Sequence, residues 1–213
     1  TDMKFRNDEN IYSVIIGNDV VEITGQNAGF KNTGGGTFYG CSSLKRIKIP
    51  SSITSIGSYS LCVCSSLTKV SIPSSVKFIG KGSFSGCSSL INILIPSSII
   101  SIEPFAFCGC ISLSEISFAK PFSLVEIKEH AFCECSSLTT ISIPSSVMKV
   151  ENYAFSECPL LNKIYIPSSA KIGEYVFNKC EMITLLNGME IINSQLFYGS
   201  SLLTKITIPS SVT

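Results

Sequence analysis

Apolar residues recur along this chain at a fixed spacing. From Cys41 onward the pattern is a 23-residue unit, seen in its plainest form from Cys64 to Gly86, CSSLTKVSIPSSVKFIGKGSFSG. Counting its Cys as position 1, apolar residues stand at positions 4, 7, 9, 13, 16 and 21, Pro at 10, a Ser pair at 11 and 12, and usually Gly at 17. Polar and apolar residues alternate around position 7, which is the period of a short strand with one buried face. Ile47 and Ile49, Val70 and Ile72, and Ile141 and Ile143 supply that face in three of the units. Pro at position 10 has no N–H to donate and ends the strand. The Ser pair then predicts a turn built from side-chain to backbone hydrogen bonds. Positions 13 and 16 bring the chain back across the core. A short helical or 3₁₀ turn ending in Phe84 is expected to close the unit, with Gly86 at the corner.

Self-similarity at one period predicts a single quasi-one-dimensional array rather than separate globular domains. Regular units begin at Cys41, Cys64, Cys87, Cys110, Cys135, Cys158 and Cys180, and an eighth, incomplete one begins at Ser200. The Cys110 unit gains two residues around Lys120 to Ser123 and carries Ala119 in place of Pro. The Cys158 unit loses one residue after Ser169, and the Cys180 unit loses three, with Met189, Ile192 and Phe197 as its expected core set. Residues 1–39 comprise a polar leader, a degenerate first coil from Val14 to Ile23 and a Gly/Asn-rich insertion, in the place where a stacked array needs an atypical cap. Residues 40–213 hold the eight regular coils. A single coil cannot bury both faces of its apolar layer, so stability is expected only from several coils in register.

The units IPSSITSIGSYSLCVCSSL, IPSSVKFIGKGSFSGCSSL and IPSSVMKVENYAFSECPLL resemble the BspA-like, treponemal type of leucine-rich repeat, with consensus L-x-x-I-x-I-P-x-S-V-x-x-I-G-x-x-A-F-x-x-C. The resemblance extends from Gly40 to Thr213. It implies a leucine-rich-repeat solenoid of the α/β class, mainly β: a curved right-handed superhelix with one short strand per coil. A parallel sheet would line its concave side and short turns its convex side. It also implies kinship with proteins of anaerobic bacteria and parasitic protists, commonly surface-exposed and adhesive toward host proteins or cells.

Composition changes this picture by exclusion. Lys and Arg number 16 against 15 acids, and a net charge of +1 gives no reason to expect nucleic acid or an acidic membrane as partner. Apolar content of 45% and a mean hydropathy of +0.38 belong to a core, because no apolar run reaches the roughly 18 to 20 residues that span a bilayer. No membrane insertion is expected. The single His, the absence of Trp and the lack of any Asp after Asp19 leave little from which to assemble a nucleophile and base, so no enzyme and no cofactor is expected. His130 shares a column with Tyr59, Phe105, Tyr153 and Tyr175, where a half-buried ring shielding the core edge is the expectation.

Seven of the ten cysteines occupy position 1, which predicts a stacked ladder of buried free thiols. That usage, with no signal peptide, glycosylation sequon or lipidation motif, points to the cytoplasm, whereas the family resemblance points to the cell surface or secretion. Cys108, Cys110, Cys133 and Cys135 come from adjacent coils as two C-x-C pairs. Alternation sends the members of each pair in different directions, so no metal site is expected. A Cys108–Cys133 disulfide is the alternative, since equivalent positions in adjacent coils lie near the Cα separation that a disulfide accepts.

Positions 6 and 8 flank the buried position 7 and face away from the core. They hold Arg46 and Lys48, Lys69 and Ser71, Asn92 and Leu94, Glu115 and Ser117, Thr140 and Ser142, Lys163 and Tyr165, and Lys205 and Thr207. These columns vary while the core columns do not, and basic residues gather at one end (Lys45, Arg46, Lys48 and Lys69). Leu94 and Tyr165 offer apolar anchors. The functional expectation is a non-enzymatic scaffold binding a host or matrix protein through this face. The alternative is an intracellular or self-assembling repeat protein. Ile206 and Ile208 are expected in a final strand with an open edge, which either more chain or a second molecule would cover.

Overall fold

The computed structural model describes residues 5–25, 36–185, 197 and 200–208. In chain order its strands are β1 (Ser13–Ile15), β2 (Glu22–Ile23), β3 (Arg46–Lys48), β4 (Ser55–Ile56), β5 (Lys69–Val70), β6 (Phe78–Ile79), β7 (Asn92–Ile95) and β8 (Ser101–Ile102). They continue as β9 (Glu115–Phe118), β10 (Glu126–Ile127), β11 (Thr140–Ser142), β12 (Lys149–Val150), β13 (Lys163–Tyr165), β14 (Lys171–Ile172), β15 (Met182–Leu185) and β16 (Lys205–Thr207). Every pairing is parallel and joins one coil to the next, so the chain is a parallel-strand solenoid.

The first ladder is the expected one. It runs β1-β3-β5-β7-β9 and then β11-β13-β15-β16; β3 and β11 bury position 7 and expose positions 6 and 8, whereas β16 is exposed throughout. Ala119 in place of Pro keeps an N–H, which donates to Ile95 O at 2.9 Å. The sheet divides after β9, where the two extra residues around Lys120 enter.

A second ladder, not foreseen, runs β2-β4-β6 and β8-β10-β12-β14 at positions 15 and 16. Each of its two-residue strands turns position 16 into the core, as at Ile56, Ile79 and Ile127.

The expected helical or 3₁₀ closing turn is a correction. Among the described residues this side of the coil has turns and no helix. Two positions per coil adopt positive φ, four residues apart: Tyr59 (56°) and Val63 (59°), Phe105 (58°) and Gly109 (72°), His130 (55°) and Glu134 (60°). A left-handed residue every fourth position cannot continue a right-handed helix. What replaces it is a third ladder. Leu61 N donates to Ser83 O of the next coil at 2.9 Å, and Phe84 N to Ala106 O at 2.9 Å, while the amides between them close local turns. Stacking thus satisfies backbone groups that a lone buried coil would strand. At Gly82 (φ +57°) a Cβ would meet the Tyr59 ring at 2.4 Å, so Gly leaves room for that ring in a column where other coils place aromatic residues at the same φ.

The core consists of repeated columns. Phe84, Phe107, Phe132, Phe155 and Phe177 are fully buried, and neighbouring rings stack with centroids 5.3 to 6.1 Å apart. The Ser pair works differently from expectation. Pro50 O and Pro73 O accept from the amide three residues on, which makes the turn, while the second Ser of the pair reaches the preceding coil. Ser75 Oγ donates to Ile53 O at 2.7 Å and Ser146 Oγ to Leu124 O at 2.6 Å. Phe197 packs partly buried against the core; Met189 and Ile192 lie outside the described residues.

Candidate binding face and thiol columns

The position 1 column is a ladder of thiols, all unbridged and buried. Each thiol has a second task beyond filling space. Cys64 Sγ donates to Phe38 O at 3.1 Å, Cys87 to Leu61 O at 3.2 Å, Cys110 to Phe84 O at 3.3 Å and Cys158 to Phe132 O at 3.3 Å. Ser200 Oγ makes the same bond to Phe177 O at 3.2 Å, which explains why Ser replaces Cys in the last unit. Burial raises these thiols far above their ordinary range, as at Cys87 and Cys135, and to about 12 at Cys180. They stay protonated donors and are poor nucleophiles.

A second sulfur column lies two residues earlier, where Cys62, Ser85, Cys108, Cys133 and Ser156 succeed one another coil by coil. Burial pushes Cys62 up to about 11 despite its hydrogen bond with Ser85. Cys108 and Cys133 face each other. The hydrogen bond from Cys133 lowers the Cys108 thiol, while the same contact, with burial, raises Cys133. Cys110 and Cys135 point into the core instead, so four sulfurs do not converge. Glu134 completes the surroundings of the facing pair. The sequence signal for it is modest: Glu134 and Glu157 stand at the corner that Gly86 and Gly109 occupy in earlier coils.

His130 is sandwiched between Phe105 and Tyr153, with ring centroids 4.7 Å away on each side. Its Nδ1 lies 3.7 Å from Glu129 and has no hydrogen bond. The ring is one step of an aromatic stack that continues to Tyr175.

The first ladder carries the predicted binding residues. Arg46, Lys48, Lys69, Ser71, Asn92, Leu94, Glu115, Thr140, Ser142, Lys163, Lys205 and Thr207 are exposed; Ser117 and Tyr165 are half-buried. The register sets Arg46 opposite Lys69, Lys69 opposite Asn92, Asn92 opposite Glu115, and Thr140 opposite Lys163. One column differs from counting. Lys163 pairs with Thr184, and Thr184 with Thr207, so Lys205 lies opposite Met182, two residues out of line. The shortened Cys180 unit slips by an even number, which preserves the exposed face. Leu94 is 56% exposed and Ile91 50%, forming an apolar step between the basic end and Glu115. Glu115 accepts from Ser117 Oγ at 3.1 Å.

On the second ladder several charges find one another, although Lys171 stands opposite Lys149. Glu126 lies opposite Lys149 and pairs with it at 3.1 Å, Lys149 also holds Glu151, and Lys128 reaches Glu103 at 2.6 Å. Among the described residues no ion pair involves Lys45, Arg46, Lys48 or Lys69. No helix of the described residues is long and apolar enough to cross a membrane.

The model of the BspA type leucine rich repeat region matches residues 2–126 and 116–213, in six copies. Among solved structures, a leucine-rich repeat protein from Bacteroides ovatus is 27% identical with a TM-score of 0.71, over 99% of this chain and 58% of its own. The leucine-rich repeat protein of Treponema pallidum is 30% identical with a TM-score of 0.54, over 67% of this chain and 68% of its own. A leucine rich cell surface protein from Faecalibacterium prausnitzii shares the fold at 22% identity and a TM-score of 0.52, over 96% of this chain and 83% of its own. No curated protein matches. This chain spans 58% of the length of the Bacteroides protein. On the family match, which accounts for nearly every residue, the chain belongs to the BspA type of leucine-rich repeat proteins.

Proposed function

We propose that the chain is a non-enzymatic adhesion or interaction module that binds a protein through the first-ladder face, with the basic end formed by Lys45, Arg46, Lys48 and Lys69 meeting an acidic surface. The observation that carries the reading is the pairing of Arg46 with Lys69. Like charges directly opposite on a ladder destabilise it, and among the described residues no acid pairs with either to offset them. A partner carrying carboxylates would. Leu94 and Ile91 next to this end provide apolar area that fits the middle of an interface. Display at a cell surface is the setting that the family relationship favours.

The test is binding of immobilised chain to a panel of host and matrix proteins, comparing the wild type with Arg46→Glu/Lys69→Glu and with a control on the second ladder, Lys171→Glu. The reading requires a partner whose binding weakens at least about tenfold in the first variant, survives in the control and falls as salt rises. Equal loss in both variants, or none in either, defeats it. Protease added to intact cells that leaves the full-length protein uncut would defeat surface display. Self-association through β16 is a second reading, favoured by the exposure of Ile206 (37%) and Ile208 (51%). Light scattering that gives a constant monomer mass as concentration rises excludes it.

A further inference from the structure

We propose that Cys108, Cys133 and Glu134 form a binding site for a thiophilic divalent metal ion, zinc being the natural candidate and cadmium its spectroscopic stand-in. This goes beyond the protein-binding reading and does not depend on it. The two sulfurs and a carboxylate oxygen of Glu134 all lie within 4.8 Å of one another. Two thiolates bound to one tetrahedral zinc, each at about 2.3 Å, sit about 3.8 Å apart, so small side-chain rotations close the three ligands around an ion. A disulfide needs the sulfurs far closer, at about 2.05 Å, with a restricted dihedral angle.

The chemistry of the ligand set selects the ion. Two sulfurs exclude magnesium and calcium as preferred occupants and favour zinc, cadmium or monovalent copper. The carboxylate then completes a three-ligand set and leaves a fourth position to water. The site's backbone is pinned from three directions. Gly109 N donates to Cys133 O at 2.8 Å, Glu134 N to Ser156 O at 2.9 Å, and Ser136 N to Glu134 O at 3.0 Å. Ligands held on such a frame lose little freedom on binding.

The electrostatic surroundings also favour a cation. Lys179, the nearby positive group, is held by Glu157 at 2.9 Å, and no ion pair among the described residues takes the Glu134 carboxylate. Cys108 is only half-buried, which gives an entry path, whereas Cys110 and Cys135 are sealed in the core. Binding replaces the two thiol protons by the metal and releases both to water, so no oxidant or reductant takes part.

The experiment uses the full chain, reduced and kept without oxygen, titrated with cadmium and followed by the ultraviolet charge-transfer absorption of cadmium thiolate. Zinc affinity is then measured by competition with a chelator. The expected result is a single saturating equivalent, displaced by zinc. Cys108→Ser and Cys133→Ser each abolish the band, and the fold tolerates Ser in this column because Ser85 and Ser156 already occupy it. Glu134→Gln weakens zinc binding roughly tenfold or more. Cys62→Ser, in the same column two coils away, leaves the titration unchanged. Circular dichroism confirms that each variant is folded. The proposal is overturned if no band develops, if the band survives Cys108→Ser, or if uptake appears only as the protein unfolds. It is also overturned if peptide mapping finds Cys108 and Cys133 disulfide-linked as isolated and the pair, once reduced, takes up no metal.

Discussion

The two strand ladders are made by the same repeat and rest on the same core, yet they treat charge differently. On the second ladder Lys149 stands opposite Lys171 as well as Glu126, but Glu126 and Glu151 both hold it, and Glu103 holds Lys128. On the first, Arg46 faces Lys69, Lys45 and Lys48 lie alongside, and among the described residues no acid pairs with them. A face whose charges are paired within the coil stack is accounted for by folding. One whose like charges are adjacent and unpaired carries a small standing cost that folding does not explain. The difference separates structural surface from surface left free for a partner, within one chain and without reference to any other.

The comparison rests on a shared core, and the largest expected effect removes it. Phe132 is fully buried, with Phe107 and Phe155 stacked 5.3 and 5.4 Å away. Phe132→Ala should cost about 3 to 5 kcal/mol in chemical denaturation, and hydrogen exchange should speed up on both ladders together. If only one ladder loosened, the faces would not share one cooperative core.

Charge reversal then sharpens the contrast. Arg46→Glu replaces a like pair with an opposite one and should stabilise the isolated chain by about 0.2 to 1 kcal/mol while weakening the proposed partner interaction. Lys149→Glu, the matched change on the second ladder, should destabilise it, since Glu126 and Glu151 lose their cation. Thermal midpoints at low salt decide this, and equal effects of both changes would erase the distinction.

The smallest effect is pH-dependent. Burial pushes the Glu151 carboxyl up, but hydrogen bonds from Lys149 and the Glu129 amide outweigh it and hold the group below its ordinary 4.5. Its contribution is therefore complete above pH 4.5 and is lost as pH falls through the depressed folded value. Glu151→Gln should be less stable than wild type at neutral pH by under about 1 kcal/mol, with the gap closing below pH 4.5. A gap independent of pH would mean that the ionised Glu151 carboxylate contributes nothing through its contact with Lys149.

Much of this was legible in the sequence. The alternation around Ile47, Val70 and Ile141 placed the first ladder and its exposed columns, because strand periodicity is a local property. The second ladder escaped because strands of two residues, such as Ser55–Ile56, are too short to show alternation and exist only through their neighbours in adjacent coils. The closing turn was misjudged for a related reason. Positive φ at Val63 or Glu134 is unusual for such side chains and is imposed by coil-to-coil hydrogen bonds that no local pattern reveals. The column position of Lys205 failed by counting, since deletions in the Cys180 unit shift register by an amount that spacing alone leaves open. Cys108 and Cys133 were foreseen as neighbours, but Glu134 was not, because its placement depends on the turn.

The three ladders share one more property: all their hydrogen bonds between coils run along the stack. A force applied between the ends of the molecule therefore loads these bonds one coil at a time rather than all at once. Each 23-residue coil that peels away would release about 75 Å of extended chain, so the solenoid would lengthen in even steps under tension and dissipate work at every step before any covalent bond is strained.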